Sequence, residues 1–222
     1  MRMALEFAKK DAVAFISHLD LQRAFSRAIR RSGMPVKLSQ GFNPHYLVSF
    51  ASALALGLPS ECECVEIQLA KEVSPKEFLQ AMNKALPPGL AAKRAVRLKD
   101  DAPKLMAALD EAEYMAELVG ADLTAVDTAL HAIMNSESIV VSRNVKGVMK
   151  ETEIRPMIVS LILNGNILVL RLSAAQEKSL RPDVVLDELK RRIGDFDWRV
   201  KRTALFTHTN GLPQPLLDAT GV

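Results

Sequence analysis

The sequence has few aromatic residues, two cysteines and no long apolar run. Phe, Trp and Tyr make up 5% of its 222 residues, which argues against the aromatic sheet platform that often binds single-stranded RNA. No run of about 18 apolar residues occurs, so no transmembrane helix is predicted. The first residues, MRMALEFAKKD, lack the apolar core of a signal peptide, and we therefore predict a cytoplasmic protein.

Motifs for metals, nucleotides and common catalytic centres are also missing. Cys62 and Cys64 stand two apart in a predicted strand, a geometry that does not suit a disulfide, so reduced structural thiols are expected. The chain has no HxxxH, HExxH or paired CxxC spacing, no GxGxxG, no Walker loop and no GxSxG. We predict no metal and no cofactor, and nothing here indicates a strong enzyme.

Charge is distributed unevenly along the chain. Residues 1–50 carry 8 Lys and Arg against 3 Asp and Glu, whereas residues 51–142 carry 8 against 14. Residues 143–222 carry 13 against 9. Two basic ends around an acidic middle favour a positive surface built from both ends, although the sequence does not show whether they meet.

Hydrophobic periodicity and turn signals predict an α+β fold of two tandem ferredoxin-like units with antiparallel sheets, each ordered β-α-β-β-α-β. The first unit is expected over residues 1–99, a linker over 100–111, the second unit over 112–206 and a loose tail over 207–222. The second unit carries an inserted basic hairpin. The predicted elements of the first unit are a strand over Met3–Phe7, a helix from its Ser17 cap to Gly33, strands over Val36–Leu38, Tyr46–Ala51 and Cys64–Leu69, a helix opening at Ser74, and a strand over Ala92–Leu98.

The first helix predicts a basic face. Its arginines fall at i, i+4, i+7 and i+8, roughly opposite an apolar stripe, and Asp20 is the carboxylate at matching spacing. The row is either a phosphate-contacting surface or a solvated helix face, and one of its arginines could instead be a buried structural anchor for the loop that follows. The four residues are Arg23, Arg27, Arg30 and Arg31.

The polar stretch SQGFNPH follows this helix, between two predicted strands. Gly41 permits backbone conformations closed to other residues, and Pro44 favours an extended Asn43. Loops of this kind often bind ligands, although they also serve as ordinary connections. The candidate binding residues here are Ser39, Gln40, Gly41, Phe42, Asn43, Pro44 and His45.

Two histidines flank this region. His18 stands in the first helical turn, where the helix dipole disfavours its protonated form, so it could act as a general base or orient the loop together with Asp20. His45 ends the loop, and a structural role is open for both.

In the second unit, Arg143, Lys146 and Lys150 make a basic hairpin, and Arg155 follows it. Such a hairpin either tracks a nucleic-acid backbone or protects a strand edge from pairing.

Four stretches together resemble a bacterial domain family of unknown function that is linked to radical SAM proteins. They are FISHLDLQRAFSRAIRRSGMPVKLSQGFNPH, LVSFASALALGLPSECECVEIQL, SRNVKGVMKETEIRP and RPDVVLDEL. The resemblance extends to about residue 206, and the cysteine motif of the radical SAM cluster is absent from this chain. It implies an accessory role beside a radical SAM protein, with RNA as a plausible substrate.

The leading hypothesis is an RNA-binding accessory protein that uses the basic N-terminal surface. One alternative is a metal-free endoribonuclease with His18 as its catalytic residue, by architectural analogy with repeat-processing nucleases. The other is a docking module for a radical SAM partner. The sequence does not give the identity of the RNA or the oligomeric state.

Overall fold

A computed structural model describes residues 1–145 and 148–221. The chain forms two compact units, one of Met1–Asp110 with Arg202–Val222 and the other of Glu111–Lys201. The first unit therefore contains both chain ends, whereas the sequence analysis assigned residues 112–206 to the second unit and residues 207–222 to a tail.

The first unit builds an antiparallel sheet in the order β4-β1-β3-β2. A 3-10 helix over Asp11–Phe15 precedes α1, and Leu105–Ala108 forms the short α3 inside the predicted linker. The elements are β1 (Arg2–Lys9), α1 (His18–Ser32), β2 (Val48–Phe50), β3 (Ser60–Gln68), α2 (Pro75–Ala85) and β4 (Leu90–Arg97). The predicted strand over Val36–Leu38 is reduced to isolated bridges to Leu69 and Tyr46.

Helix α1 has the start, the end and the buried stripe that its sequence predicts. Ser17 caps the helix by accepting a hydrogen bond from the backbone N–H of Asp20, and Gly33 ends it in the left-handed conformation at φ +68°. The stripe packs into the core with the odd-numbered residues of β1 and with Phe78 and Met82 of α2. Its residues are Leu21, Ala24, Phe25, Ala28 and Ile29.

The last residues are ordered elements of the first unit, so the predicted loose tail is wrong. Strand β11 (Asp197–Thr209) pairs with β12 (Leu212–Pro215) across Asn210-Gly211, where both residues have positive φ. Asn-Gly is the strongest short hairpin signal, so this hairpin was predictable from the sequence. The short α6 (Leu216–Thr220) then buries its two leucines.

The second unit places β9 between β5 and β8, with antiparallel pairing on both sides. The two-residue β10 (Lys178–Ser179) pairs with the end of β9, and β6 and β7 form a separate hairpin at the predicted position. The other elements are β5 (Glu111–Val119), α4 (Leu123–Asn135), β6 (Val140–Val145), β7 (Val148–Glu153), β8 (Ile158–Asn164), β9 (Ile167–Ala175) and α5 (Pro182–Ile193).

The architecture is a mixed α+β fold with mostly antiparallel strands and six α-helices in the ranges that the structure describes, which confirms the predicted α+β class. None of the helices in these ranges is long and apolar enough to cross a membrane.

Candidate nucleic-acid interface

The four arginines of α1 differ in what they contact. Arg23 pairs with Asp20 at 3.0 Å, and Arg31 donates a hydrogen bond to the carbonyl of Ala85 on α2 at 2.5 Å. Arg27 and Arg30 are exposed and have neither a hydrogen bond nor an ion pair within the described part of the chain. Two guanidinium groups are therefore available to a ligand, whereas Arg31, itself exposed, is tied to α2 and not to the loop.

Contacts at the two ends of α1 show which way the arginine row faces. Arg31 reaches α2, and Arg27, four residues earlier, lies on the same side of the helix. His18 instead packs edge-on against Phe50 of β2, with ring centroids 5.2 Å apart. The arginine row therefore leans towards α2, away from the strand that carries the SQGFNPH loop.

The Ser39–His45 segment is a closed loop braced at its base. The backbone N–H of Ser39 donates to the carbonyl of His45 at 2.8 Å, and the N–H of His45 donates to Ser39 Oγ at 3.1 Å. Ser39 Oγ also lies 2.9 Å from His45 Nδ1. Gly41 takes φ +118°, and Phe42 at the tip is fully exposed, at 105%.

One signal in the sequence could have strengthened the case for this region. Residues 21–60 contain five Lys and Arg and not a single Asp or Glu. Both the arginine row and the loop fall inside this segment. A local count of acidic residues finds it, whereas the balance over residues 1–50 obscures it.

His18 packs at the start of α1, and its role as a general base stays a prediction. Its Nδ1 is buried and has no hydrogen-bond partner among the described residues, and its Nε2 lies 3.1 Å from Gln22 Nε2. The ring is half-buried against Phe50, so His18 serves as a packing residue at the start of α1. His45 is occupied by its own loop, through Ser39.

Asp20 is held in its ionised form. Hydrogen bonds from the Ser17 hydroxyl and the Arg23 guanidinium, and then the charges of Arg23 and Arg27, lower the pKa of its carboxyl below the ordinary 3.8. At neutral pH this carboxylate is therefore ion-paired with Arg23. Both of its partners, Ser17 and Arg23, belong to α1 or its cap, and neither belongs to the Ser39–His45 loop.

In the second unit, the guanidinium group of Arg155 donates hydrogen bonds to two backbone carbonyls. Its Nη1 donates to the carbonyl of Ile158 at 3.0 Å and its Nη2 to that of Met134 at 2.8 Å. Glu153 holds the base of the hairpin by accepting the backbone N–H groups of Ile139 and Arg155. The contribution of Arg155 to a basic surface stays a prediction.

Of the other basic residues predicted on the hairpin, the structure describes the side chain of Lys150. Lys150 is exposed on β7. Lys146 lies outside the described residues, and so does the side chain of Arg143.

Sequence reasoning missed a buried charge cluster in the first unit. Arg202 pairs with Glu63 at 2.9 Å and donates to Ser52 Oγ at 2.7 Å. Lys9, only 1% exposed, donates to the carbonyls of Ala14 and Ile16, and burial lowers its pKa. These contacts hold the segment before α1 and the loop after β2.

The two cysteines are free and buried. Burial raises the pKa of Cys62 to about 12 and also raises the pKa of Cys64 well above its ordinary value. Both thiols therefore stay protonated and unreactive at neutral pH, as expected for structural residues.

The fold and this surface define an α+β protein with an exposed cationic helix face. The chain belongs to a family described as an uncharacterized protein conserved in bacteria (DUF2344), whose model matches residues 2–182. No curated protein matches the chain.

Among solved structures, the chain is similar to an unknown protein from Galdieria sulphuraria at 15% identity. The match covers 90% of this chain and 97% of that one, with a TM-score of 0.24, and a likeness this low carries no argument.

Proposed function

We propose that this protein is an RNA-binding accessory protein that holds phosphate groups on the exposed face of α1 and works beside a radical SAM enzyme. The observation that carries the proposal is the pair of exposed guanidinium groups of Arg27 and Arg30, which have no partner in the described residues. The radical SAM partner rests on the family resemblance of the N-terminal motif.

Charge arrangement supports an anionic ligand for this face. Arginines spaced three and four apart on a helix repel one another unless an anion lies between them. Phosphates suit this role because a guanidinium group donates two parallel hydrogen bonds to phosphate oxygens. Residues 21–60 contain no Asp or Glu, so the carboxylate nearest to Arg27 along α1 is that of Asp20, which is paired with Arg23.

The proposal includes the finer fold assignment. The strand order β4-β1-β3-β2 of the first unit, with α1 and α2 packed into one core, supports the assignment of a ferredoxin-like unit. In the second unit, β8-β9-β5 with α4 and α5 follows the same chain order around the inserted hairpin. Lys150, together with Arg143 and Lys146, would supply further contacts to the RNA backbone.

The test is binding of the purified protein to bulk bacterial RNA over a series of salt concentrations. We expect log affinity to fall linearly with log salt, and the double variant Arg27→Ala/Arg30→Ala to reduce the slope by about 1.4, or about 0.7 per lost phosphate contact. The matched control Lys99→Ala/Lys178→Ala removes two exposed charges elsewhere and should keep the original slope.

No RNA binding at low salt would reject the proposal. Equal losses in the arginine variant and in the lysine control would show that net charge, rather than the face of α1, attracts RNA. Either result would favour protein docking as the role of the N-terminal motif.

A further inference from the structure

Phe42 stands at the tip of the SQGFNPH loop with its ring fully exposed. We propose that Phe42 stacks on an unpaired base of the RNA, so that the loop selects single-stranded segments. This inference rests on the proposed RNA binding and adds a second contact, through a base, to the phosphate contacts of α1.

The exposure of Phe42 is unusual for so large an apolar side chain. Among the described residues Phe42 is the most exposed large apolar side chain, at 105%, followed by Phe15 at 70%, whereas Phe25 and Phe50 are buried and in ring contact at 5.3 Å. A ring left in water forgoes the favourable burial that a Phe normally gains. A ligand that covers it recovers that free energy.

The loop that carries the Phe42 ring is closed by hydrogen bonds between its two ends. Three contacts between Ser39 and His45 close the loop, and the ladder continues below it through the Leu38–Tyr46 bridge. A braced loop loses less conformational entropy on binding than a free one does, so more of the stacking free energy appears as affinity.

The neighbours of Phe42 favour a nucleobase as the group it meets. Gln40 and Asn43 carry amides that can both donate to and accept from base edges, and both are exposed. A loop that enters a membrane would need several apolar residues at its tip, but Gly41, Asn43 and Pro44 surround the ring. The lack of acidic residues over 21–60 also suits a polyanionic strand.

Stacking through one ring makes a specific demand on the RNA. Every base offers a π-face, so the contact tolerates many sequences, but the base must be free of its own helix. Bases paired in a duplex are already stacked and are inaccessible to the ring. The α1 arginines would bind both forms through their phosphates.

The experiment compares two RNA probes of about 12 nucleotides with equal charge, one a single strand with all its bases and the other an abasic strand. In wild-type protein we expect tighter binding of the strand with bases. Phe42→Ala should weaken that binding about tenfold and leave binding of the abasic strand unchanged. Phe42→Leu, which keeps apolar bulk without a π-face, should resemble Phe42→Ala, and Phe42→Trp should restore or exceed wild-type affinity.

The outcomes separate this inference from the proposed function. If neither probe binds, both ideas fail. If both probes bind with the expected salt dependence but Phe42→Ala changes neither affinity, stacking is rejected and the phosphate surface stands. Quenching of tryptophan fluorescence in Phe42→Trp by the strand with bases, beyond the signal of Trp198 in wild type, would give direct support. Equal quenching by the abasic strand would reject stacking.

Discussion

The arginines of α1 and those of the second unit differ in their partners. On α1, Arg27 and Arg30 extend into solvent and contact no carboxylate or carbonyl among the described residues. In the second unit, every arginine whose side chain the structure describes has a partner. The pairs are Arg155 with the carbonyls of Met134 and Ile158, Arg171 with Glu111, Arg181 with Asp183, Arg191 and Arg192 with Glu188, and Arg199 with Glu117.

This difference shows that arginine count alone does not identify a binding surface. The last 80 residues carry more Lys and Arg than the first 50, yet their described arginines already contact carboxylates or backbone carbonyls of the chain. An arginine that already donates to a carboxylate has less to offer a phosphate. The unpartnered residues therefore define the candidate surface more sharply than the net charge does.

The largest effect is expected from an arginine with partners. Arg155→Ala removes two charge-assisted hydrogen bonds to backbone carbonyls, one of them on the last turn of α4, where a cation is favoured. We expect the free energy of unfolding to fall by about 2–3 kcal/mol, measured by urea denaturation. The exposed Lys150→Ala in the same unit should change it by less than about 0.5 kcal/mol.

RNA binding provides the counter-test for Arg155. Full RNA affinity in folded Arg155→Ala would agree with a structural role. Unchanged stability together with weakened RNA binding would instead show that Arg155 contacts phosphate. The contrast between the α1 arginines and those of the second unit would then not hold.

An intermediate effect is expected from freeing a paired arginine on α1. Asp20→Asn removes the carboxylate from Arg23 while it keeps a polar side chain beside Ser17. We expect RNA affinity to rise about threefold at low salt and the salt slope to steepen by about 0.7, because one more guanidinium becomes available. Titration of RNA binding in wild type and variant measures both quantities.

The pH dependence of the same pair gives its control. The pKa of Asp20 in the folded state is below the ordinary 3.8, so the ionised carboxylate stabilises the folded state. This stabilisation is present above pH 3.8 and is lost as the pH falls through the lowered pKa. Between pH 5 and 8 the Asp20–Arg23 pair stays formed, and the affinity difference between wild type and Asp20→Asn should be constant there. A difference that varied across this range would assign the effect to another group.

Local signals in the sequence were sufficient for α1 and its exposed face. The Ser17 cap, the apolar spacing from Leu21 to Ile29 and the stop at Gly33 all act within a few residues of one another. The partners of Arg31 and Arg155 were not predictable in this way, since they lie 54 and 21 residues away along the chain. The buried Arg202–Glu63 pair spans 139 residues and depends on the return of β11 to the first unit.

The smallest effect, and the one whose sign matters most, is expected from Arg27 itself. Arg23 and Arg31 stand four residues before and after Arg27. Arg27→Ala therefore removes two like-charge repulsions, each of which destabilises the helix by about 0.2–0.5 kcal/mol. It also introduces alanine, the residue with the highest helix propensity. We expect the free energy of unfolding at low salt to stay level or to rise by up to about 0.5 kcal/mol, with the gain fading as salt screens the charges. Arg27→Lys, which keeps the charge, should show no gain. A loss of more than about 1 kcal/mol would reveal a structural partner for Arg27 and remove it from the proposed surface. A gain in stability combined with weaker RNA binding would show that Arg27 serves a ligand at the expense of the fold, as functional residues often do.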